Sequence, residues 1–380
     1  MEDNEDLQEK LEAVNKELKE AMENSLNYIK NKIEVTSKEL KENAYERIER
    51  RERFIKKFFL EKKYNLIPKI YLKSHQNLQI NTFINVVLFS LANLETFTEF
   101  CLEENYKEIL KKLPGKKEES FIVSFISFIK DSREFKNKNH DYITIHSCLE
   151  KKLGNNYMSQ DPEFLIRNIL DFLVNDLKSA NKIKNIITNN FQFTLKNIKT
   201  CSRCELLINI SNEEQLLADL FFKKPEEKIQ EPFLSVFKSL LIDKETEDKK
   251  EPCIGGCGKN MAFSRIIENP KKYLILNLNR KYDPNYEMKL IYSTTLKLTE
   301  EKRDIKYEHE YDLILALTDK NINDINDYKL YFKNFINDTW YKYVKGDPAV
   351  IQGNMMDEIS NQNPNIFIYK RKSVKIVNQI

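Results

Sequence analysis

Four of the six cysteines stand in two close pairs, a spacing typical of a metal site. Cys201 is paired with Cys204 and Cys253 with Cys257. Two cysteines this close can direct both thiolates at one ion, and two such pairs complete a tetrahedral structural zinc site. The sequence therefore predicts one structural Zn²⁺, with four reduced cysteines and no metal as the alternative.

Glycine usage supports a tight turn around the second cysteine pair. The chain has seven glycines, and three of them are Gly255, Gly256 and Gly258. Glycine readily adopts the positive φ angles that a chain needs where it wraps closely around a metal. A zinc ribbon stabilises many unrelated folds, so it identifies no function by itself.

Alternating strand patterns surround the cysteines and continue to the end of the chain. From Phe191 onward they recur in FTLKNI, ELLINI, KYLILNLN, LIYSTTLKL, YDLILAL, YKLYF, WYKYV and IFIYK. Before them, residues 73–177 are mainly helical in pattern, with breaks near Pro114-Gly115 and Gly154. Helices followed by strands in one chain predict an α+β domain.

A long helix is predicted ahead of this domain. Residues 4–63 contain no glycine or proline and carry one apolar stripe at helical spacing, which comprises Leu7, Leu11, Val14, Leu18, Met22, Leu26, Ile29, Ile33 and Leu40. Such a stripe is typical of a coiled coil or of a helix laid along a partner. We expect residues 1–66 to form a helical extension that contacts another protein, with packing on its own domain as the alternative.

Composition narrows the classes of function. At 380 residues with 41% hydrophobic content, the chain can bury a large core. The net charge of +3 is not the strong positive excess that is typical of nucleic-acid-binding proteins, so nucleic acid is expected only as an indirect partner. No apolar run reaches the roughly 18 residues of a membrane span. The acidic N-terminus and the few cysteines predict a reducing compartment, cytoplasmic or nuclear.

A series of motifs spans residues 68–372. They are, in order, NLQINTFIN, SQDPEFLIRNILDFLVNDL, the two cysteine pairs, PKKYLILNLNRKY, NDYKLYFKN, WYKYV and IFIYKR. In order and spacing they resemble the motifs of ubiquitin-specific proteases, a family of ubiquitin carboxyl-terminal hydrolases. The resemblance implies a papain-like cysteine protease fold with a helical thumb, a β palm and zinc-ribbon fingers inserted around residues 195–262.

The resemblance breaks at all three positions of the catalytic triad. Thr82 stands where the family has its cysteine nucleophile, Asp327 where it has the histidine base, and Val344 where it has the orienting Asp or Asn. A threonine hydroxyl is a poor nucleophile unless a base takes its proton. A carboxylate with an ordinary pKa of about 4 cannot shuttle a proton near neutrality as imidazole does. We therefore expect a pseudoenzyme.

Other positions of the family pattern are retained. Asn77 matches the asparagine that stabilises the oxyanion in the family, although its amide could equally cap a buried turn. Gln160 and Asp161 match a Gln-Asp pair that holds the ubiquitin tail, but Phe164 stands where the family carries Glu. Asp161 followed by Pro162 is also a good helix start, so a capping role for Asp161 is the alternative.

The four histidines do not restore the triad. His75, His140 and His146 precede or lie outside the predicted catalytic strands, and His309 comes too early for the histidine motif. We expect solvent-exposed or structural roles for them.

Together these features predict a catalytically dead ubiquitin-specific-protease-like protein that acts as a scaffold or ubiquitin-binding subunit of a larger assembly. The N-terminal helix is expected to attach it to a multi-protein complex, and ubiquitin is a second expected partner. Two alternatives stay open. One is an active deubiquitinating isopeptidase with non-standard catalytic residues, and the other is an unrelated zinc-ribbon α+β interaction module.

Overall fold

The computed structural model describes the following parts of the chain: residues 16, 19–20, 22–27, 30, 32, 82–102, 111, 113, 120–133, 142–154, 161–179, 186–201, 203–204, 206–221, 251–279, 293–302, 305–318, 328–344, 347–360, 362 and 364–377. The chain divides into two units, residues 1–63 and residues 64–380. The boundary predicted near residues 66–68 lies outside the described residues.

In the first unit, every described residue is helical and exposed to solvent. Met22 and Leu26, two members of the predicted apolar stripe, are 60% and 53% exposed. None of the helices in the described part of the chain combines the length and the hydropathy needed to span a bilayer.

The helices of the second unit precede its strands, as the sequence predicts. Those described are α1 (Thr82–Ala92), α2 (Glu95–Leu102), α3 (Phe121–Arg133), α4 (Tyr142–Leu153), α5 (Pro162–Ser179) and α6 (Ile186–Phe191). A short helix near the C-terminus, α7 (Met355–Ser360), was not predicted. Every residue from Ile84 to Leu94 is buried, so α1 is surrounded on all sides, as expected of a helix without a polar face.

The described strands are β1 (Phe193–Thr200), β2 (Leu207–Gln215), β3 (Ala218–Phe221), β4 (Ala262–Glu268), β5 (Tyr273–Asn279), β6 (Thr295–Lys302), β7 (Ile305–Thr318), β8 (Leu330–Lys333), β9 (Trp340–Val344), β10 (Asp347–Val350) and β11 (Pro364–Val377). The sequence patterns missed β3, β4 and β10. β3 and β10 have only four residues each, and β4 reads AFSRIIE, in which two apolar residues are adjacent instead of alternating with polar ones.

The strands form two sheets. The small sheet has the order β2-β1-β4, and the large sheet has the order β10-β9-β8-β7-β11-β5-β3 with β6 paired to β7. Among the described strands only β3 runs parallel to its neighbour, which is β5. The cysteines lie at one end of the small sheet, because Cys201 directly follows β1.

The large sheet is buried on both faces at its centre. In β5, Tyr273 and Ile275 pack with the helices, whereas Leu274 and Leu276 pack in a second core on the opposite face. β7 changes from one buried face to two along its length. Its burial alternates at first, and residues 315–318 are then all buried. A strand covered on both faces carries a continuous apolar run, as in LILAL of β7.

One partly buried ion-pair cluster joins the helical layer to this sheet at the start of α2. The Glu95 carboxylate accepts from Lys272 Nζ at 3.0 Å and from Lys370 Nζ at 2.7 Å. Beside it, the Tyr273 hydroxyl accepts from the Thr96 backbone N–H at 3.4 Å and from Thr96 Oγ1 at 3.3 Å. The neighbouring strands β5 and β11 therefore hold the first turn of α2.

An aromatic stack extends this junction into the helices. The Phe191 ring stacks on Tyr273 at 5.0 Å and on Phe97 at 5.3 Å. Phe97 in turn meets the edge of Phe125 at 5.2 Å. Such aromatic pairs stabilise a core beyond the area that they bury.

Glu95→Gln should destabilise the fold at neutral pH and flatten its dependence on acid. Burial alone would raise the pKa of Glu95, but Lys370 and Lys272 lower it to about 2 from an ordinary value of 4.5. The charged cluster therefore stabilises the fold above about pH 4.5, and this contribution is lost as the pH falls towards 2. We expect a loss of about 3 kcal/mol in the free energy of unfolding at neutral pH, measured by urea denaturation.

Glu150→Gln, at an exposed position of α4, is the matched control and should behave like the wild type. A Glu95→Gln variant that keeps the wild-type dependence of stability on acid would contradict this role of the cluster.

Candidate functional site

The predicted nucleophile position, Thr82, is the first residue of α1. This helix packs on the β8–β9 hairpin through Phe89. The Phe89 ring lies 5.1 Å from the Phe332 ring of β8 and 4.6 Å from the Tyr343 ring of β9. The helix that begins at Thr82 is therefore seated against β8 and β9, and β9 carries Val344, the predicted orienting position.

Arg133 fixes the direction of α1 along the hairpin. Its Nη2 donates to the Ala92 carbonyl, at the C-terminal end of α1, at 2.8 Å. Its guanidinium also lies 5.3 Å from the centre of the Phe335 ring, in the turn between β8 and β9. The C-terminal end of α1 is thus at the closed end of the hairpin, and Thr82, about 15 Å away along the helix, lies towards the open end.

The open end of the hairpin leads to the other two predicted triad positions. Leu330 pairs with Tyr343, so the residues before β8 and after β9 are neighbours. Val344 is the last residue of β9. Tyr328, which follows the predicted histidine position, lies just ahead of β8 and packs on the core shared with the helices. The topology brings the start of α1 and both strand ends to one side of the hairpin.

Some predicted site residues lie outside the described residues, namely Asn77, Gln160, Asp327, His75 and His140. The roles assigned to them stay predictions. For Thr82 and Val344 the structure gives the backbone position. It also shows that Asp347 is the backbone partner of Val344 across the β9–β10 turn, so a carboxyl-bearing residue follows closely after the predicted orienting position.

The two described histidines have surroundings that suit structural roles. His309 Nε2 lies 3.1 Å from Glu300 Oε2, and both side chains are buried between β6 and β7. Glu300 also accepts from the Asn269 backbone N–H, at 2.6 Å. His146 lies on α4, where burial lowers its pKa to about 4, so its ring is neutral near neutral pH.

Asp161 caps helix α5, the alternative that its position before Pro162 suggested. Its Oδ1 accepts from the Phe164 backbone N–H at 3.0 Å, and Pro162 is the first helical residue. Glu163 accepts from Arg167 Nε at 2.8 Å, one turn further along the helix. A contact of Asp161 with a ubiquitin tail stays a prediction.

Arg167 ties the start of α5 to the edge of the large sheet. Its Nη2 donates to Asp219 Oδ2 of β3 at 2.9 Å, and Asn277 Nδ2 of β5 donates to Asp219 Oδ1 at 2.9 Å. These groups are partly exposed, so the network orients the helix more than it stabilises the fold.

The four paired cysteines come together at one end of the small sheet. Their sulfur atoms all lie within 4.8 Å of one another. Cys201 Sγ is 3.3 Å from Cys257 Sγ, and Cys204 Sγ is 3.4 Å from Cys253 Sγ. A tetrahedral zinc ion with Zn–S bonds of about 2.3 Å holds its sulfurs about 3.8 Å apart. The cluster therefore has the size and the ligand set of a structural zinc site.

Backbone groups shape each knuckle, meaning one cysteine pair with its intervening residues. The backbone N–H groups of Cys204 and Arg203 donate towards the Cys201 sulfur and lower the pKa of that thiol to about 6. The Arg203 side chain reaches the other knuckle and donates to the Cys257 carbonyl at 2.8 Å. The first knuckle thus favours a thiolate and is tied to the second.

Three glycines lie in or directly after the second knuckle. Gly256 and Gly258 have φ angles of 65° and 74°, in the left-handed region that the sequence argument anticipated. Gly255 differs, because a Cβ there would be in ordinary van der Waals contact with Cys253 Sγ at 3.4 Å and with Cys204 Sγ at 3.5 Å, so the structure gives no requirement for glycine at this position.

Comparisons with known proteins agree with this architecture. Residues 74–369 match the family described as ubiquitin carboxyl-terminal hydrolase. No curated protein sequence gives a significant match. Among solved structures, the SAGA Ubp8/Sgf11/Sus1/Sgf73 DUB module bound to ubiquitin aldehyde is similar, at 17% identity and a TM-score of 0.61 over 79% of this chain and 69% of that chain.

Two further structures of this module give the same picture. The module with a Ubp8 variant bound to monoubiquitin matches at 17% identity and a TM-score of 0.62, over 79% of this chain and 69% of that chain. The yeast module with an Sgf73 variant matches at 16% identity and a TM-score of 0.61, over 79% of this chain and 68% of that chain. At these identities the likeness shows a shared fold.

Asp161→Ala should lower the free energy of unfolding by about 1 kcal/mol, because the first turn of α5 loses its cap. Asp161→Asn should keep wild-type stability, since asparagine caps helices as well as aspartate does. Urea denaturation measures both effects. Asp171→Ala, at an exposed position of the same helix, is the control and should not destabilise. Equal losses for Asp161→Asn and Asp161→Ala would contradict the capping role.

Proposed function

The chain belongs to the ubiquitin carboxyl-terminal hydrolase family, and we propose that it has lost the hydrolase reaction and acts as a scaffold or ubiquitin-binding subunit of a larger assembly. The proposal is supported by a contrast between the fold, which matches that of the family, and the residue types at the three triad positions, which do not. The start of α1 lies towards the open end of the β8–β9 hairpin, as a nucleophile helix and its partner strands require. The sequence at the three triad positions nevertheless reads Thr82, Asp327 and Val344.

Each replacement removes one requirement of papain-like chemistry. The Thr82 hydroxyl is nucleophilic only when a base takes its proton. At position 327 the sequence has a carboxyl group, and a carboxylate with an ordinary pKa of about 4 is a weak base with no proton to return to a leaving amine near neutrality. Val344 has no polar atom that could orient a base. Asp347 beside it supplies a carboxyl-bearing residue, but an orienting carboxylate without a histidine has nothing to orient.

Loss of the reaction leaves the surfaces of the fold available for binding. The similar SAGA modules are multi-protein assemblies, and two of the structures contain ubiquitin or ubiquitin aldehyde. We extend these two kinds of partner to this chain. The exposed apolar residues Met22 and Leu26 support a role for the N-terminal helix in binding another protein.

We also propose that the cysteine cluster holds one Zn²⁺. Cys201, Cys204, Cys253 and Cys257 would each supply a thiolate. The ion would crosslink the end of β1 to the segment that precedes β4, where the small sheet has little core of its own. Its role is structural, because four cysteine ligands leave no open position for a substrate.

The purified chain should not hydrolyse a fluorogenic amide of the ubiquitin C-terminus above the rate in buffer, and Thr82→Ala should leave that rate unchanged. Thr82→Cys should also fail to start turnover, because the sequence places no histidine at position 327 to activate the thiol. Turnover that is abolished by Thr82→Ala would contradict the loss of the reaction.

Chemical-shift titration of isotope-labelled ubiquitin with the same chain separates the two versions of the proposal. Saturable shifts identify a ubiquitin-binding subunit, and their absence identifies a scaffold.

Metal analysis of the purified chain should find about one zinc ion per chain. Replacing Cys204 and Cys253 together by serine should remove the ion and increase proteolysis within residues 193–268, because the small sheet loses its crosslink. Cys148→Ser, at a buried cysteine outside the cluster, is the control and should retain the metal. Full zinc content in the double variant would refute the assignment of the ligands.

A further inference from the structure

Arg133 is a charged residue with none of its surface exposed. Its Nη2 donates to the Ala92 carbonyl at 2.8 Å and lies 3.5 Å from Asn93 Oδ1. The guanidinium lies over the Phe335 ring, 5.3 Å from its centre. One side chain thus connects the end of α3, the C-terminal end of α1 and the β8–β9 turn.

The surroundings suit a cation, although burying one is unfavourable. Burial lowers the pKa of Arg133 to about 9, so the guanidinium still carries its charge near neutral pH. The last carbonyls of a helix carry partial negative charge, and the face of an aromatic ring attracts a cation. An apolar side chain of similar volume often stabilises a core as well as a buried charge does. The directed hydrogen bonds of the guanidinium therefore point to a role in geometry.

A small change at the Arg133 end of α1 would produce a larger movement at the Thr82 end. Phe89 holds the helix on the hairpin through Phe332 and Tyr343. From Phe89 to Ala92 the helix rises about 4.5 Å, and from Phe89 to Thr82 it rises about 10.5 Å. A tilt about the Phe89 contact would therefore move Thr82 roughly twice as far as it moves Ala92.

We infer that Arg133 is a positioning residue, which fixes the angle of α1 on the β8–β9 hairpin and so sets how far Thr82 lies from Tyr328 and Val344. It acts from the opposite end of the helix, through the Ala92 carbonyl and the Phe335 ring. The role concerns the spacing between the start of α1 and the open end of the hairpin, and it does not depend on whether the chain binds ubiquitin.

Amide NMR spectra of the full chain test this role together with chemical denaturation. Arg133→Met keeps the apolar bulk and removes the hydrogen bonds. Its denaturation midpoint should stay near the wild-type value, while the amide resonances of Thr82, Tyr328 and Val344 shift. Arg133→Lys keeps the positive charge and the N–H donors of one ammonium group but loses the planar guanidinium. It should therefore shift the same resonances by a smaller amount than Arg133→Met does.

Arg265→Met is the matched control, because it removes a partly buried arginine that donates to Asn197 Oδ1 in the small sheet. It should leave the resonances of Thr82, Tyr328 and Val344 in place. If Arg133→Met does not fold, Phe335→Leu removes only the ring beneath the guanidinium and should shift the same three resonances by a smaller amount. Unchanged positions of all three resonances in whichever of these variants folds would overturn the inference.

Discussion

The packing of α1 on the β8–β9 hairpin is the constraint on which the rest of this structure depends. Phe89 seats the helix against Phe332 and Tyr343, and Arg133 anchors its far end beside the hairpin turn. The helix is buried from Ile84 to Ala92 within a closely packed core, so a change at one of its contacts is passed along its length. The Glu95 cluster holds the first turn of the following helix to β5 and β11.

A fold and its reaction can separate, because they rest on different residues. The contacts that seat α1 on the hairpin involve aromatic rings, a buried arginine and strand pairing. Hydrolysis of an amide instead requires a nucleophile, a base and an orienting group within reach of one another. We propose that the side chains at these three positions have changed here while the packing has stayed, so that the resulting surface can still bind a partner. The cysteine cluster fits this view, since a structural metal site supports a surface without taking part in a reaction.

Much of the architecture was predictable because it depends on local sequence. Helical and alternating patterns marked the main helices and strands, and the spacing of the cysteines anticipated a cluster whose geometry is set within two short knuckles. The remainder depends on contacts between distant segments. Nothing local in the helix end KDSR distinguishes Arg133 from any polar helix terminus, and Glu95 meets its lysines only when two strands reach it. The approach of Cys204 to Gly255 is likewise visible only in the folded chain.

Loss of the hydrolase reaction can be measured with ubiquitin that carries an electrophile at its C-terminus, incubated with the purified chain and analysed by intact mass and peptide mapping. We expect no covalent adduct, because the start of α1 has threonine in place of cysteine and the sequence places no histidine at position 327 to activate its hydroxyl. An adduct that maps to Thr82 would contradict the loss of the reaction.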